Sequence, residues 1–284
     1  MALTLKDVSY FPGCSLATTA EENNHSMLEL CRKIGVNLVE LKDWNCCGSS
    51  STPSINDELA FALGVRNLSL APKGIPLLVP CPNCIVRLRQ SLHKLKQDEK
   101  KRLSYEEKWG RPIDPDLEII NFFDLVDGID FLDFSKNRKK RLQGLKFVPY
   151  YGCMLAQPSK LKEYNKSYHG VMEKILSSLG GEPLSWPYNS KCCGTYLSVA
   201  KPDLITPVVN EIIKGAINAG ADCIVTPCAM CHLNLEVRCN LKTKIPTMHF
   251  SELLSLSLGT DSYEKWFSKH LVDPKPIFQS AGII

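Results

Sequence analysis

Residues 75–84 read IPLLVPCPNC, and residues 221–231 read ADCIVTPCAMC. In each, a short apolar run ends at a proline and is followed at once by C-x2-C. A helical pattern opens there, running through Leu95 in the first copy. Apolar runs this short, bounded by Pro or Gly and followed by helices, are the mark of buried parallel strands. The doubling of the pattern decides the fold, because an internal repeat fixes architecture before any single element does.

Working outward, ten of the thirteen cysteines fall into two matching sets. The first comprises Phe11-Pro12-Gly13-Cys14, then Cys46-Cys47-Gly48, then Cys81 and Cys84. The second comprises Tyr150-Tyr151-Gly152-Cys153, then Cys192-Cys193-Gly194, then Cys228 and Cys231. The spacings are C-x31-CC-x33-C-x2-C and C-x38-CC-x34-C-x2-C, each vicinal pair followed by glycine. A period of about 140 residues means a duplicated domain and not a solenoid. The repeat continues to residues 119–126, IINFFDLV, and 247–254, TMHFSELL, which pairs Asn121 with His249. Between Cys84 and Asn121 lie about 19 more residues than between Cys231 and His249, coinciding with the charged run Lys94 to Arg111.

The expected strands are Val8–Phe11, Val36–Leu41, Ile75–Val79, Lys146–Tyr150 and Ala221–Thr226. The expected helices are His25–Ile34, Asp57–Leu70 capped by Asn56, Leu161–Leu179 and Leu204–Ala219, with one more opening at each C-x2-C. The fold class is therefore α/β: two similar, pseudo-symmetric domains with parallel sheets, 1–144 and 145–284, joined by a basic linker, Lys136 to Lys146. In such sheets, sites gather beyond the carboxyl ends of strands, where all three cysteine motifs of each half lie.

Composition narrows the chemistry. A net charge of +4 is too small for a dedicated nucleic-acid binder. No run of about 18 apolar residues encodes a membrane span. The start, MALTLKDVSYFPG, has no basic stretch followed by an apolar core, so export is not expected and the cytoplasm is. In a reducing compartment, thirteen cysteines in 284 residues point to ligands or redox groups before disulfides. Five thiolates overfill a structural zinc site, whereas a polynuclear iron–sulfur cluster offers separate irons as acceptors. Gly48 and Gly194 let the backbone approach a bulky group or take a positive φ.

The duplicated motif resembles the cysteine-rich CCG domain of the heterodisulfide reductase B subunit family, over nearly the whole chain. That resemblance implies two noncubane [4Fe–4S] clusters near the cleft between the halves. One would sit on Cys14, Cys46, Cys47, Cys81 and Cys84, the other on Cys153, Cys192, Cys193, Cys228 and Cys231. It implies a catalytic subunit that reduces or forms disulfide or sulfur bonds of a thiol substrate, protein-bound lipoate among the options. It implies a ferredoxin-like partner resembling the C subunit of heterodisulfide reductase, because this chain has no ferredoxin-type cysteine run, and a flavoprotein beyond it. Relatives in succinate- and lactate-type systems make electron transfer toward a quinone or organic acid the alternative. A zinc-binding scaffold, or a dithiol oxidoreductase using one C-x2-C, are the rivals from other classes.

Outside the sets, Cys31, Cys223 and Cys239 read as packing residues. His232, after Cys231, is a candidate proton donor to a leaving thiolate, though a capping or surface role fits it better. Lys191 could meet an anionic substrate but reads first as a solvated lysine. His249 reads as structural. The hydroxyls of Ser49, Ser50, Ser51, Thr195 and Tyr196 could bond to cluster sulfurs or cap turns. The run Lys94 to Arg111 reads as a solvated helix before a docking surface.

Overall fold

The computed structural model of the chain describes residues 7–49, 51–135, 141–157, 159 and 161–284. The first half contains β1 (Asp7–Tyr10), α1 (Gly13–Ala17), α2 (Glu21–Lys33), β2 (Asn37–Glu40), α3 (Thr52–Ile55) and α4 (Asp57–Leu68). It continues through β3 (Leu77–Leu78), α5 (Pro82–Gln97), α6 (Glu99–Trp109), β4 (Ile119–Ile120), α7 (Phe122–Gly128) and α8 (Phe131–Ser135). The second half contains β5 (Lys146–Pro149), α9 (Gly152–Ala156), a 3-10 turn at Lys162–Tyr164, α10 (Val171–Ser178), β6 (Glu182–Pro183) and a 3-10 turn at Thr195–Leu197. It continues through α11 (Pro202–Asn218), β7 (Cys223–Thr226), α12 (Ala229–Arg238), β8 (Thr247–His249), α13 (Phe250–Ser257), α14 (Tyr263–Phe267) and α15 (Lys275–Ser280).

The expected α/β class holds. The strands form two four-stranded, all-parallel sheets of matching order, β2-β1-β3-β4 and β6-β5-β7-β8. The order reverses between β1 and β3, and between β5 and β7. Such a switch point opens a crevice beyond the strand ends.

The strands are shorter than the sequence suggested. Ile75–Val79 is paired as β3 only at Leu77–Leu78, because Pro76 and Pro80 have no N–H to give the ladder. The two-residue β4 and β6 carried no strand pattern of their own, and β6 ends at Pro183 on the sheet edge, where a missing donor costs little. The helix expected over Leu161–Leu179 is confined to Val171–Ser178. Gly170, at φ 81°, turns the chain immediately before it. The second copy of IINFFDLV is faithful in structure: Asn121 and His249 each cap a helix, α7 and α13, in a capping box closed by Asp124 and Glu252.

Asn56 caps α4 as expected, its Oδ1 accepting from the Leu59 N–H at 2.9 Å. Asn56→Ala is expected to lower stability by about 1 kcal/mol, and Asn56→Ser by much less. Denaturant midpoints measure this, and equal midpoints for the two variants would contradict it.

By packing, the chain divides into compact units that are not its sequence halves. One unit is Met1–Ala17 with Gly35–Ile129, and the other is Thr18–Ile34 with Asp130–Ile284. Compared with a cut at Gly144, the second unit gains α8 and also α2, which packs on α13 and α14. Its buried face carries Met27, Leu30 and Cys31, and its Ser26 lies 2.6 Å from the Ser251 hydroxyl. Residues 136–140 of the basic linker lie outside the described residues.

Candidate metal centres

Each cysteine set lies within one unit, at the carboxyl edge of its sheet. Cys14 follows β1, Cys46 and Cys47 follow β2, and Cys81 and Cys84 bracket the start of α5 beyond β3. Cys153, Cys192, Cys193, Cys228 and Cys231 repeat this beyond β5, β6 and β7. The sulfurs of Cys47 and Cys84 are 3.1 Å apart, and those of Cys193 and Cys231 are 3.6 Å apart. Cys14 also meets Cys46, Cys81 meets Cys84, Cys153 meets Cys192 and Cys228 meets Cys231. Parallel strands explain the convergence: residues far apart in sequence leave the sheet at one edge.

Exposure is graded in the same way in both units. Cys47, Cys81, Cys84, Cys193, Cys228 and Cys231 are buried, Cys14 and Cys46 are exposed, and Cys153 and Cys192 are partly exposed. Touching thiols divide their protons unequally. Hydrogen bonding from Cys14 pulls Cys46 down to about 2, while the Cys46 sulfur pushes Cys14 up. Cys153 likewise lowers Cys192 to about 6 and is itself raised. A first thiolate thus forms readily in each set and opposes the next, which is the condition a cationic metal group relieves.

Backbone donors complete the cradle. The N–H groups of Gly48 and Ser49 address Cys46 and Cys47, and those of Asn83 and Cys84 address Cys81. In the second unit, Gly194 N–H lies 3.4 Å from the Cys192 sulfur and Cys231 N–H lies 3.3 Å from the Cys228 sulfur. These donors, with the positive helix ends of α5 and α12, favour negative charge on sulfur. The donor set is all sulfur, five per unit, ringed by N–H groups. It fits a soft polynuclear group and overfills a single tetrahedral ion.

The glycines of the two motifs serve different neighbours. Gly48 and Gly194 have positive φ, as expected, but a Cβ there would strike α4 or Ile205, not a sulfur. Gly13 and Gly152 are the ones against the cysteines. A Cβ would fall 3.1 Å from the Cys84 sulfur in one and 3.2 Å from the Cys231 sulfur in the other, with φ of 74° and 66°. The motif contained both residues, but only the folded backbone gives them this role.

Of the candidates outside the sets, Cys31, Cys223 and Cys239 are buried packing residues, as expected, and burial raises Cys31 to about 12. Lys191 is a half-buried lysine paired with Glu211 and set over the Tyr188 ring. His232 is neither cap nor surface residue: it is 2% exposed, with Nδ1 3.0 Å from Asn23 Oδ1. Backbone N–H groups of Ser49 and Thr195, not their hydroxyls, meet the sulfurs of Cys47 and Cys193. Ser50 lies outside the described residues. The charged run forms the end of α5 and α6, where Lys96 meets Asp116, Lys101 meets Glu58, and Arg102 meets Glu99 and Glu106.

The two units, each presenting a CCG set at a sheet edge, place the chain in a class. It belongs to the cysteine-rich domain family called CCG, whose model matches residues 8–89 and 147–236. Among its relatives, the chain is 26% identical to the 8-methylmenaquinol:fumarate reductase membrane anchor subunit of Wolinella succinogenes, covering 94% of this chain and 98% of that one. It is 25% identical to the B subunit of the ferredoxin/F420H2-dependent CoB-CoM heterodisulfide reductase of Methanosarcina acetivorans, covering 89% of each. The crystal structure of a hypothetical protein from Helicobacter pylori shares the fold, with a TM-score of 0.73 at 12% identity, over 94% of this chain and 52% of that one. The resemblance to the heterodisulfide reductase B subunit family therefore holds, and with it a general oxidoreductase role. Among the described residues, no helix is long and apolar enough to cross a membrane.

Proposed function

We propose that each five-cysteine set holds a noncubane [4Fe–4S] cluster. The chain is then the catalytic iron–sulfur subunit of a heterodisulfide reductase-like complex, forming or breaking a sulfur–sulfur bond of a thiol substrate. One observation carries the reading. In both units the lone cysteine and the first of the vicinal pair reach toward solvent, while the other three are buried. Two such clusters supply the two one-electron steps that an S–S bond requires.

The residues of the chain do the rest. Cys47, Cys81 and Cys84, with Cys193, Cys228 and Cys231, anchor the group in dry protein. The N–H groups of Gly48, Ser49 and Gly194 steady negative charge on sulfur. Cys14, Cys46, Cys153 and Cys192 form the rim that a substrate sulfur approaches. A ferredoxin-like subunit with a flavoprotein behind it gives the two electrons when the bond breaks and takes them when it forms, and a chain this rich in cysteine suits the reducing cytoplasm. Protein-bound lipoate is one fitting substrate, because it brings two sulfurs on a long arm.

Iron and acid-labile sulfide in protein purified without oxygen are expected at about eight each per chain, with an oxidised-state paramagnetic signal that changes when a thiol is added. Zinc bound to sulfur with no sulfide present would leave only a scaffold.

A second reading, electron transfer with a quinol, is favoured by exposed apolar residues just after each CCG motif. Ile55 is 82% exposed and Val199 is 91% exposed, with the exposed Leu204 following at the start of α11. The name of the Wolinella relative points the same way. A signal that responds to a menaquinol analogue and not to thiols would select it.

A further inference from the structure

We propose that the second unit also binds a divalent metal ion of the zinc type on His232, Glu236 and His270, apart from the cysteines. His232 and Glu236 lie one turn apart on α12, and His270 lies just after α14. The Glu236 Oε1 is 3.6 Å from His232 Nε2 and 3.1 Å from His270 Nδ1, and the three ligand atoms lie within 4.8 Å of one another. Ligand bonds of about 2.0–2.2 Å put neighbouring donors roughly 3.3 Å apart around a tetrahedral ion. A separation of 3.6 Å is too long for a hydrogen bond but suits two ligands of one ion.

The surrounding residues aim the ligands. The far nitrogen of each histidine is already engaged: His232 Nδ1 lies 3.0 Å from Asn23 Oδ1, and His270 Nε2 lies 2.9 Å from Glu252 Oε1. Glu236 Oε2 accepts from the Leu271 N–H at 2.7 Å. Partners of this kind fix the tautomer and raise the basicity of a metal-binding imidazole. All three ligand side chains are at most 4% exposed.

Charge supplies the second argument. The repeat places Arg89 opposite Glu236, each five residues after its last motif cysteine, and Asp124 opposite Glu252. In the first unit, Arg89 and Asp124 neutralise each other at 3.2 Å. In the second, the arginine is replaced by a carboxylate, so Glu236 and Glu252 together bring a buried charge of −2. A third carboxyl, Glu22, lies 3.6 Å from His232 Nδ1, but burial pushes it above the usual carboxylate range and favours its neutral form. His270 lies between the two, its Nδ1 3.1 Å from Glu236 Oε1 and its Nε2 2.9 Å from Glu252 Oε1. A dication held by two neutral histidines balances these two carboxylates, as buried charge requires.

The ion would tie the start of α12, which carries Cys231, to the residues after α14. It shares no ligand with the cysteine sets, so the inference stands whatever those sets hold. The test is X-ray absorption at the zinc edge, together with metal content, on protein purified with iron and then dialysed against zinc. The expected result is about one zinc per chain with nitrogen and oxygen neighbours near 2.0–2.1 Å and no sulfur shell near 2.3 Å. His270→Gln is expected to lose that zinc and keep its iron and sulfide. Should His270→Gln fail to fold, Asn23→Ala is expected to weaken binding of cobalt, read by its d–d absorption without a thiolate charge-transfer band, by about 10- to 100-fold. A zinc on sulfur only, no zinc after dialysis, or zinc retained at full affinity in the variants would overturn the proposal.

Discussion

Gly152→Ala is expected to empty the second cysteine set while the first stays loaded. The residue sits at φ 66°, where an added side chain costs about 1–2 kcal/mol in backbone strain. Its new Cβ would also lie 3.2 Å from the Cys231 sulfur, at the first turn of α12. The sulfur would have to move, and it is one of the three buried anchors. Iron and sulfide should fall to about half of the wild-type content, and Gly13→Ala should do the same to the other set through Cys84. Gly170→Ala is the control. It has φ 81° but nothing within 4 Å of the new Cβ, so it carries the backbone strain alone and should keep its iron. Full iron in Gly152→Ala, or equal loss in Gly170→Ala, would show that the close approach to sulfur is unimportant.

Leu30→Ala is expected to unfold the second unit first, although Leu30 lies in the first eighth of the sequence. The side chain is wholly buried on α2, whose partners are α13 and α14. Removing it leaves a cavity that costs about 2–5 kcal/mol. Hydrogen exchange should accelerate across α13 and α14 and leave β1 to β3 nearly as protected as before. Acceleration confined to residues 35–129 would mean that α2 serves the other unit.

The cysteine sets and the parallel strands that end at them were legible because two copies of one pattern constrain each other. The spacing alone puts Cys14, Cys47 and Cys84 at one sheet edge. The destination of α2 was not legible. Met27, Leu30 and Cys31 announce a buried face, but an apolar stripe does not say which surface covers it. The glycines at 48 and 194 were expected to approach a bulky group or to take a positive φ; they do the second, and the close approach to sulfur falls to Gly13 and Gly152. His232 could be singled out beside Cys231, whereas its companions come from residues 23, 236, 252 and 270, which only folding unites. One signal was present in the sequence: with the C-x2-C motifs aligned, Arg89 falls on Glu236, and a reversal of charge at a buried position calls for a new partner.

The exchange of α2 also bears on how the protein is made. A ribosome adds about 5–20 residues per second, so α2 would wait roughly 10–45 s between its own completion at Lys33 and the arrival of α13 at Phe250. Throughout that interval the apolar face of α2 has no native partner, and the second unit cannot close. Two gene fragments cut at the midpoint of the duplication would therefore not yield two folded proteins. The first product would expose a helix it cannot bury, and the second would lack the helix it needs until the two are mixed.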